Sequence, residues 1–490
     1  MKRALRGLML AGGVLVAVVL LNALRPSVTT GPAPAPVAPR SFDEAAAALR
    51  LAGALQIPTV SQHAGAATGT AAFRAMADYL QAQFPRVHAS LQRERVGDGS
   101  LLYRWPGSDP QAAAVLLLAH LDVVPVEPGT EAQWTQAPFS GAIADGYVWG
   151  RGALDDKTSA VGQLEAIEQL LAAGFVPRRT IWLAYGHDEE IGGAHGARAM
   201  AERLAQRGVR ASFLVDEGGA ITQGVVAGVT RPVASIMAAE KGYVSFRLTA
   251  RGQGGHSSMP PPQTAVGRLA RAVARVQDHP LKPRVTPPVA QMLDRLSADM
   301  PLANRLLIRN RWLFEPLLLK VLGDLPVTNA MVRTTTAPTM LKAGIKDNVL
   351  PSEAEAVINF RLLPGERLAD IEAHLKRVID DEGIELSILD GFTSEASKVS
   401  PTDNAAFAVL ERTTREVFPE ALVATGLVTG GTDARHYDAV AEHRYNFLPV
   451  LLQREDLARV HGTDERISIS GYANAVRWYA RLLENLNAAE

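Results

Sequence analysis

The sequence predicts an α/β protein with a mixed, largely parallel sheet, interrupted by an inserted α+β domain. Three observations carry this prediction. Apolar runs alternate with helical patterns as far as about residue 233, the texture of buried parallel strands joined by crossover helices. Three of those runs end in metal-binding residue types. AAAVLLLAH (Ala112–His120) continues as LDVVP, TIWLAYG (Thr180–Gly186) continues as HDEE, and ASFLV (Ala211–Val215) continues as Asp216 and Glu217. Sites in open α/β sheets form beyond the carboxyl ends of the strands, so three neighbouring strands would deliver histidine and carboxylates to one crevice. The texture then changes after Glu240, where KGYVSFRLTARGQGG alternates like a half-exposed antiparallel strand.

Taken in order, the chain opens on Lys2, Arg3 and Arg6, followed by an uncharged apolar run, Gly7–Leu21. Residues 1–25 therefore read as a signal peptide or signal anchor. The run is shorter than the ~20 residues of an average span, yet no clean small-x-small cleavage site follows it, which favours an uncleaved anchor. Positive charge at the front leaves the bulk of the chain outside the cytoplasm, membrane-anchored, secreted or periplasmic. Residues 26–40 are a Pro/Ala-rich tether, expected to be extended and unpacked. The first part of the larger domain, 41–239, holds helices over Ser41–Gln56, Ala71–Phe84, Asp155–Leu171 and Gly192–Arg207. The insert, 240–365, contains a helix after MPPPQ, a very apolar helical stretch between Pro280 and Pro326, and the strand AEAVINFRLLPG. The second part of the larger domain, 366–490, has a helix over Glu366–Glu382, the strand IELSIL and a closing helix over Tyr472–Asn485. In the apolar stretch, Leu306, Ile308, Trp312, Leu313, Phe314, Leu317, Leu318, Leu319 and Leu322 are too many for one helix face. They suit core packing of the insert, an apolar wall for a ligand, or contact with a bilayer surface.

Composition excludes several functions. At 490 residues with 47% hydrophobic content, the chain has room for two sizeable cores. A net charge of -1 provides no field for nucleic acid. With no cysteine, any metal must be held by His, Asp and Glu, a set that fits zinc, with cobalt or manganese as alternatives.

The acidic strand ends then carry the chemistry. His120 and Asp122 lie two apart, on one face of a strand, so Asp122 can fix the tautomer of His120; alone, such a pair is ordinarily a structural histidine. Asp155 and Asp156 follow the Gly150–Gly152 turn at a helix start, where carboxylates commonly act as caps; as a ligand, Asp155 has two oxygens to share between two ions. Glu189 and Glu190 can divide labour, one ligating and one accepting a proton from metal-bound water, whose pKa falls to about 7 on zinc. Asp216 and Glu217 offer a further ligand, and His461 in HGTDER offers an imidazole. Together these residues point to a dinuclear site.

AHLDVVP, GRGALDDK, GHDEE, DEGG, GGHSSMPP and HGTDE, in this order, resemble the dizinc aminoacylase/carboxypeptidase metallopeptidase family, which includes aminoacylases, succinyl-diaminopimelate desuccinylases and glutamate carboxypeptidases. The resemblance runs from Ser41 to the end and is nearest the carboxypeptidase S and N-fatty-acyl-amino-acid hydrolase branch. It implies a zinc-peptidase-like catalytic domain and a ferredoxin-like lid and dimerisation insert. It implies two Zn2+ ions, with His120, Asp155 and Glu190 as ligands, Asp155 bridging, and His461 closing the second ion's set. The remaining ligand falls on Asp216 or Glu217. Glu189 would be the general base and Asp122 the catalytic carboxylate behind His120. His256 would reach a neighbouring subunit's site in a homodimer and stabilise the oxyanion; Arg361 and Asn348 would hold the substrate carboxylate, and Gly431 belongs to a substrate-binding glycine loop. The implied reaction is hydrolysis of an amide bond beside a free carboxylate, by a hydroxide bridging the ions, with N-acyl amino acids as substrates, long acyl chains included, and reversal open in principle. A carboxypeptidase or dipeptidase is the alternative; an inactive binding module on the same fold and a dinuclear phosphoesterase are alternatives of other classes.

Overall fold

The three apolar runs form adjacent strands. In the computed structural model, which describes residues 2–25, 34, 37–62 and 70–488, Ile181–Gly186, Ala114–His120 and Ala211–Asp216 lie side by side and parallel in that order. Ala441–Asn446 continues the parallel set. Ser100–Trp105 and Gln92–Val96 extend one side antiparallel, and Val233–Glu240, paired with Leu422–Val428, lies on the other side of a ten-stranded sheet.

Every residue of Ala114–His120 and Ile181–Gly186 is buried, because both faces are covered. Period-two alternation sends Leu117 into one core, with Leu51, Leu164 and Val476 from helices Glu44–Leu55, Lys157–Ala172 and Ile469–Ala488. It sends Leu116 and Leu118 into the other, with Met200 and Leu204 of helix Ala197–Gln206.

Two helix starts differ from expectation. The first begins at Lys157 rather than Asp155, so both aspartates stand before it, in the turn. The Lys157 ammonium is buried and donates to the carbonyls of Ala54 (3.2 Å) and Ile57 (2.6 Å); burial brings its pKa down to about 7. The second begins at Ala197 rather than Gly192, after a single 3-10 turn, Glu189–Ile191. Gly193 sits between (φ 67), where a Cβ would come within 2.3 Å of Asp433 Oδ1.

The inserted sheet is antiparallel: Thr335–Ala343, Glu353–Leu362, Gly242–Arg251 and Ile384–Ile388, in that order. Helices Ala265–Asp278 and Leu368–Ile379 pack on it through Leu269, Val276, Ile371 and Leu375, against Leu248, Ile358 and Phe360. The insert's sheet thus takes in a helix and a strand beyond residue 365. An amphipathic helix followed by a strand suits either domain by pattern alone, and only the apolar partners decide. Conversely, the stretch after Pro280 leaves the insert. Helix Pro287–Leu296 buries Val289 and Leu293 against Val233, Ala424 and Leu427 of the large sheet.

Most of the tether lies outside the described residues. Its last part is packed: Arg477 Nε donates to the Arg40 carbonyl (3.0 Å) and Arg40 pairs with Glu484, tying Val37–Arg40 to the closing helix.

Candidate metal centre

His120 is the last residue of its strand and is buried. Its Nδ1 donates to the Asp122 carbonyl (2.9 Å), which leaves Nε2 facing the crevice. There Nε2 lies 2.8 Å from Asp155 Oδ1 and 3.3 Å from Glu217 Oε1. Across the crevice, His461 Nε2 lies 3.0 Å from Asp155 Oδ2 and 3.3 Å from Glu190 Oε2. Asp155 therefore offers one oxygen to each imidazole, and two donor clusters share it: His120 with Glu217, and His461 with Glu190. Asp156 also approaches His120 and Glu217 closely.

The crevice gathers several buried carboxylates whose ionisation burial opposes. Burial, then the charge on Asp155, pushes Glu217 up to about 8. Burial, then the Asp433 carboxylate, pushes Glu189 well above the usual carboxylate range; burial likewise raises Glu190 and Asp156. Asp155 is the exception: burial opposes its ionisation, yet hydrogen bonds to His120 and His461 hold it far below the usual range. Glu190 Oε1 and both Asp156 oxygens are buried with no hydrogen-bond partner. Unpaired buried carboxylates are costly, and divalent cations offset that cost through these oxygen and imidazole donors.

The supporting residues fix the geometry. Asp122 is fully buried; its two oxygens accept from the Glu189 N–H (3.1 Å) and the Glu190 N–H (3.2 Å), so one carboxylate sets the turn that carries both glutamates. Glu465 does the same on the other side. Its Oε1 accepts from the N–H groups of Leu154 (2.7 Å) and Asp155 (3.2 Å), and its Oε2 pairs with Arg151 Nη1 (2.6 Å). Arg151 Nη2 then donates to the His461 carbonyl (3.1 Å). This brace holds His461 in the left-handed region (φ 60), where a non-glycine residue costs on the order of 1–3 kcal/mol.

Asp216 is not brought to His120. Its oxygens accept from the Glu217 N–H (3.0 Å) and the Ala434 N–H (2.7 Å). Burial, with help from the nearby Glu240 charge, pushes it up to about 6. The period-two alternation that buries Asp216 turns Glu217 into the crevice.

Next to Arg435 lies a cavity of about 570 Å³, with Lys241, Tyr243, Arg361, Phe392 and Gly431 also in its wall. Arg361 stacks on Tyr243 (4.5 Å) and Arg435 on Phe392 (4.4 Å). Arg435 Nη2 is 3.3 Å from Glu189 Oε1. A Cβ on Gly431 would meet Arg435 Nη1 at 2.6 Å, so the glycine makes room for the guanidinium. His256 and Asn348 are elsewhere. They sit on the exposed pairing of Gly255–His256 with Val349–Leu350. His256 Nδ1 accepts from the Ser258 N–H (3.1 Å), which leaves Nε2 pointing away as a donor.

Sequence reading passed over Arg435, Asp433 and Glu465. GGTDAR drew attention for its glycines, although its Asp433 is fully buried with both oxygens unpaired. Glu465 lies in HGTDER, which drew attention for His461 alone.

A sequence profile described as "Peptidase family M20/M25/M40" matches residues 116–485. The chain is 42% identical over 440 residues to the N-fatty-acyl-amino acid synthase/hydrolase PM20D1 of Xenopus tropicalis, covering 89% of this chain and 85% of that one. It is 40% identical to the probable carboxypeptidase S-like 2 of Dictyostelium discoideum, covering 83% and 78%. Among solved structures, the M20 family metallo-carboxypeptidase Sso-CP2 from Sulfolobus solfataricus superimposes with a TM-score of 0.68 at 18% identity, covering 91% of this chain and 100% of that one. With that profile spanning residues 116–485, and with His, Asp and Glu groups in the crevice that could hold a metal ion, the chain belongs to peptidase family M20/M25/M40 and is a metal-dependent hydrolase.

Proposed function

We propose that the chain hydrolyses the amide bond of N-acyl amino acids, using two zinc ions held by His120, Asp155 and Glu217 on one side and by Asp155, Glu190 and His461 on the other. The observation that carries this is Asp155, shared between the two imidazoles and placed beside Glu189 and a cationic cavity. Bound there, the cations supply Lewis acidity and lower the pKa of water. Glu189 accepts the proton of the attacking water and passes it to the departing amine nitrogen. The carbonyl carbon gains an oxygen as its bond to nitrogen breaks, and the same residues serve the reverse condensation. Arg361 and Arg435 bind the free carboxylate through planar guanidinium forks. As the carboxylate engages Arg435, Glu189 is freed from its contact with that side chain.

His256 completes the site from a second copy of the chain. Its exposed Nε2–H, remote from the chain's own metal centre, supports this, as does the exposed outer edge of Thr335–Ala343 with Met340 and Leu341. An N–H placed on the developing oxyanion accelerates acyl transfer. The N-terminal helix, Arg3–Leu24, supports a location outside the cytoplasm, anchored or released.

The 42% identity to an N-fatty-acyl-amino acid synthase/hydrolase favours acyl substrates; the carboxypeptidase S-like relative favours a peptidase using the same groups. Assay of the zinc-loaded full chain with N-acyl-phenylalanines of graded chain length, beside dipeptides, separates the two. The proposal expects higher kcat/KM for long-chain acyl substrates, and faster dipeptide turnover would replace it with the peptidase reading.

A further inference from the structure

We propose that the face built by helices Leu302–Arg309, Arg311–Gly323 and Pro326–Val332 rests in the interfacial layer of a phospholipid bilayer, beside the point where the N-terminal helix enters it. The second of these helices reads RWLFEPLLLKVLG, and of its apolar side chains only Leu318 is buried. A helix packed on a soluble domain turns its apolar stripe inward and its polar side to water; here Trp312, Leu313, Leu317 and Val321 stand on the free side together with Glu315 and Lys320. Trp312 is 61% and Leu317 52% exposed. Leu313, Leu317 and Val321 follow one another at four-residue spacing, which aligns them along one outer stripe. Leu325 (62%) and Val327 (72%) continue it onto the third helix. A contiguous exposed apolar surface of this kind marks a protein or a lipid contact.

The N-terminal helix decides for lipid. Arg3–Leu24 has 22 residues, a mean hydropathy of 2.3 and only 6% of its apolar window buried, and ~20 such residues cross the hydrocarbon core. Its C-terminal end is held by this same group of helices. Asn22 Nδ2 donates to Asn310 Oδ1 (3.1 Å), Asn310 Nδ2 donates to the Val19 carbonyl (3.0 Å), and Arg309 Nη1 donates to the Arg25 carbonyl (2.9 Å). Asn310 is the buried joint between the first two helices of the group. The crossing helix and the apolar face therefore meet at one polar hinge point, and a membrane that accepts the first lies against the second. A helix of thirteen residues is too short to span. Exposed Glu315, Lys320 and Asp324 keep it at headgroup depth, where a tryptophan is well placed.

Trp312 also supplies the test. The five other tryptophans, at 105, 134, 149, 182 and 478, are buried. The full chain is placed at one copy per disc in phosphatidylcholine nanodiscs, with plain lipid or with lipid brominated near the headgroup end of its chains. The expected result is quenching of part of the tryptophan emission by brominated lipid, and loss of that quenching in Trp312→Phe. Because Trp312 is exposed, the variant keeps the parent Tm. Equal emission in both lipids overturns the proposal, as does quenching that persists in Trp312→Phe. Shielding of Trp312 that appears only when two copies share a disc also overturns it, and assigns the face to a second copy of this chain instead.

Discussion

Single carboxylates in the crevice have separable tasks. Glu189→Gln should lower kcat about 10²–10⁴-fold while the metal content stays at the parent value, because the amide cannot accept a proton but leaves Glu190 and Asp155 in place. Equal metal with parent turnover would remove Glu189 from the proton path. Glu217→Ala should release the ion nearest His120, whereas Asp216→Asn should retain it, since Asp216 faces the N–H groups of Glu217 and Ala434 instead. Metal analysis of the two variants checks this; the reverse pattern would exchange their roles. Glu465→Gln should weaken metal binding about 10–100-fold, the usual cost of losing a partner that orients ligands, measured by titration with a competing chelator. At this scale the sequence shows residue types but not which way they point. His120, Asp155, Glu190 and His461 stood out by kind. Which of the two adjacent acids after Val215 faces His120 depends on the strand's pleat, and Glu465 acts through backbone N–H groups that leave no trace in a motif.

Elements hold these residues by packing and by a few ion pairs. Leu117 sits in the middle of the strand that delivers His120 and is completely buried. Leu117→Ala should cost about 2–5 kcal/mol of stability, read as a lower midpoint in denaturant. The joint between helices Ala405–Val417 and Ile469–Ala488 depends on Glu416, whose carboxylate accepts from Arg481 Nε (2.7 Å), Asn485 Nδ2 (2.7 Å) and Arg412 Nε (3.0 Å). Burial works against its ionisation, but these donors win and hold its pKa below the ordinary value. A depressed native pKa means stability that is present above the unfolded value of about 4.3 and is lost as pH falls through the native one. Glu416→Gln should therefore cost about 1–3 kcal/mol near neutral pH, with the difference in Tm closing on acidification. A gap unchanged down to acid pH would contradict the assignment. Strands were legible because runs such as VLLLAH are buried on both faces. Helix starts were less so: Asp155 and Asp156 look like caps, yet they belong to the turn that builds the site.

At the scale of the whole molecule, the large sheet supplies the crevice, the inserted sheet supplies Tyr243 and Arg361 to the cavity beside it, and His256 lies apart on the exposed two-stranded pairing. The broad plan was visible in the change of texture at Glu240. The division was not, because the chain crosses between the two bodies more than once. Pro287–Leu296 returns to the large sheet through Val289 and Leu293, and Ile384–Ile388 returns to the inserted one through its pairing with Gly242–Arg251. Such long-range partners are invisible to local periodicity. The proposed function rests on one aspartate, Asp155, shared by two cations. The most direct measurement is the metal content of the purified full chain by elemental analysis, alongside its amide hydrolysis before chelation, after it and after zinc is restored. Two ions per chain are expected, with loss of turnover on their removal, recovery on their return, and no such occupancy in Asp155→Ala; a single ion at saturation, or turnover that survives complete chelation, would overturn the proposed function.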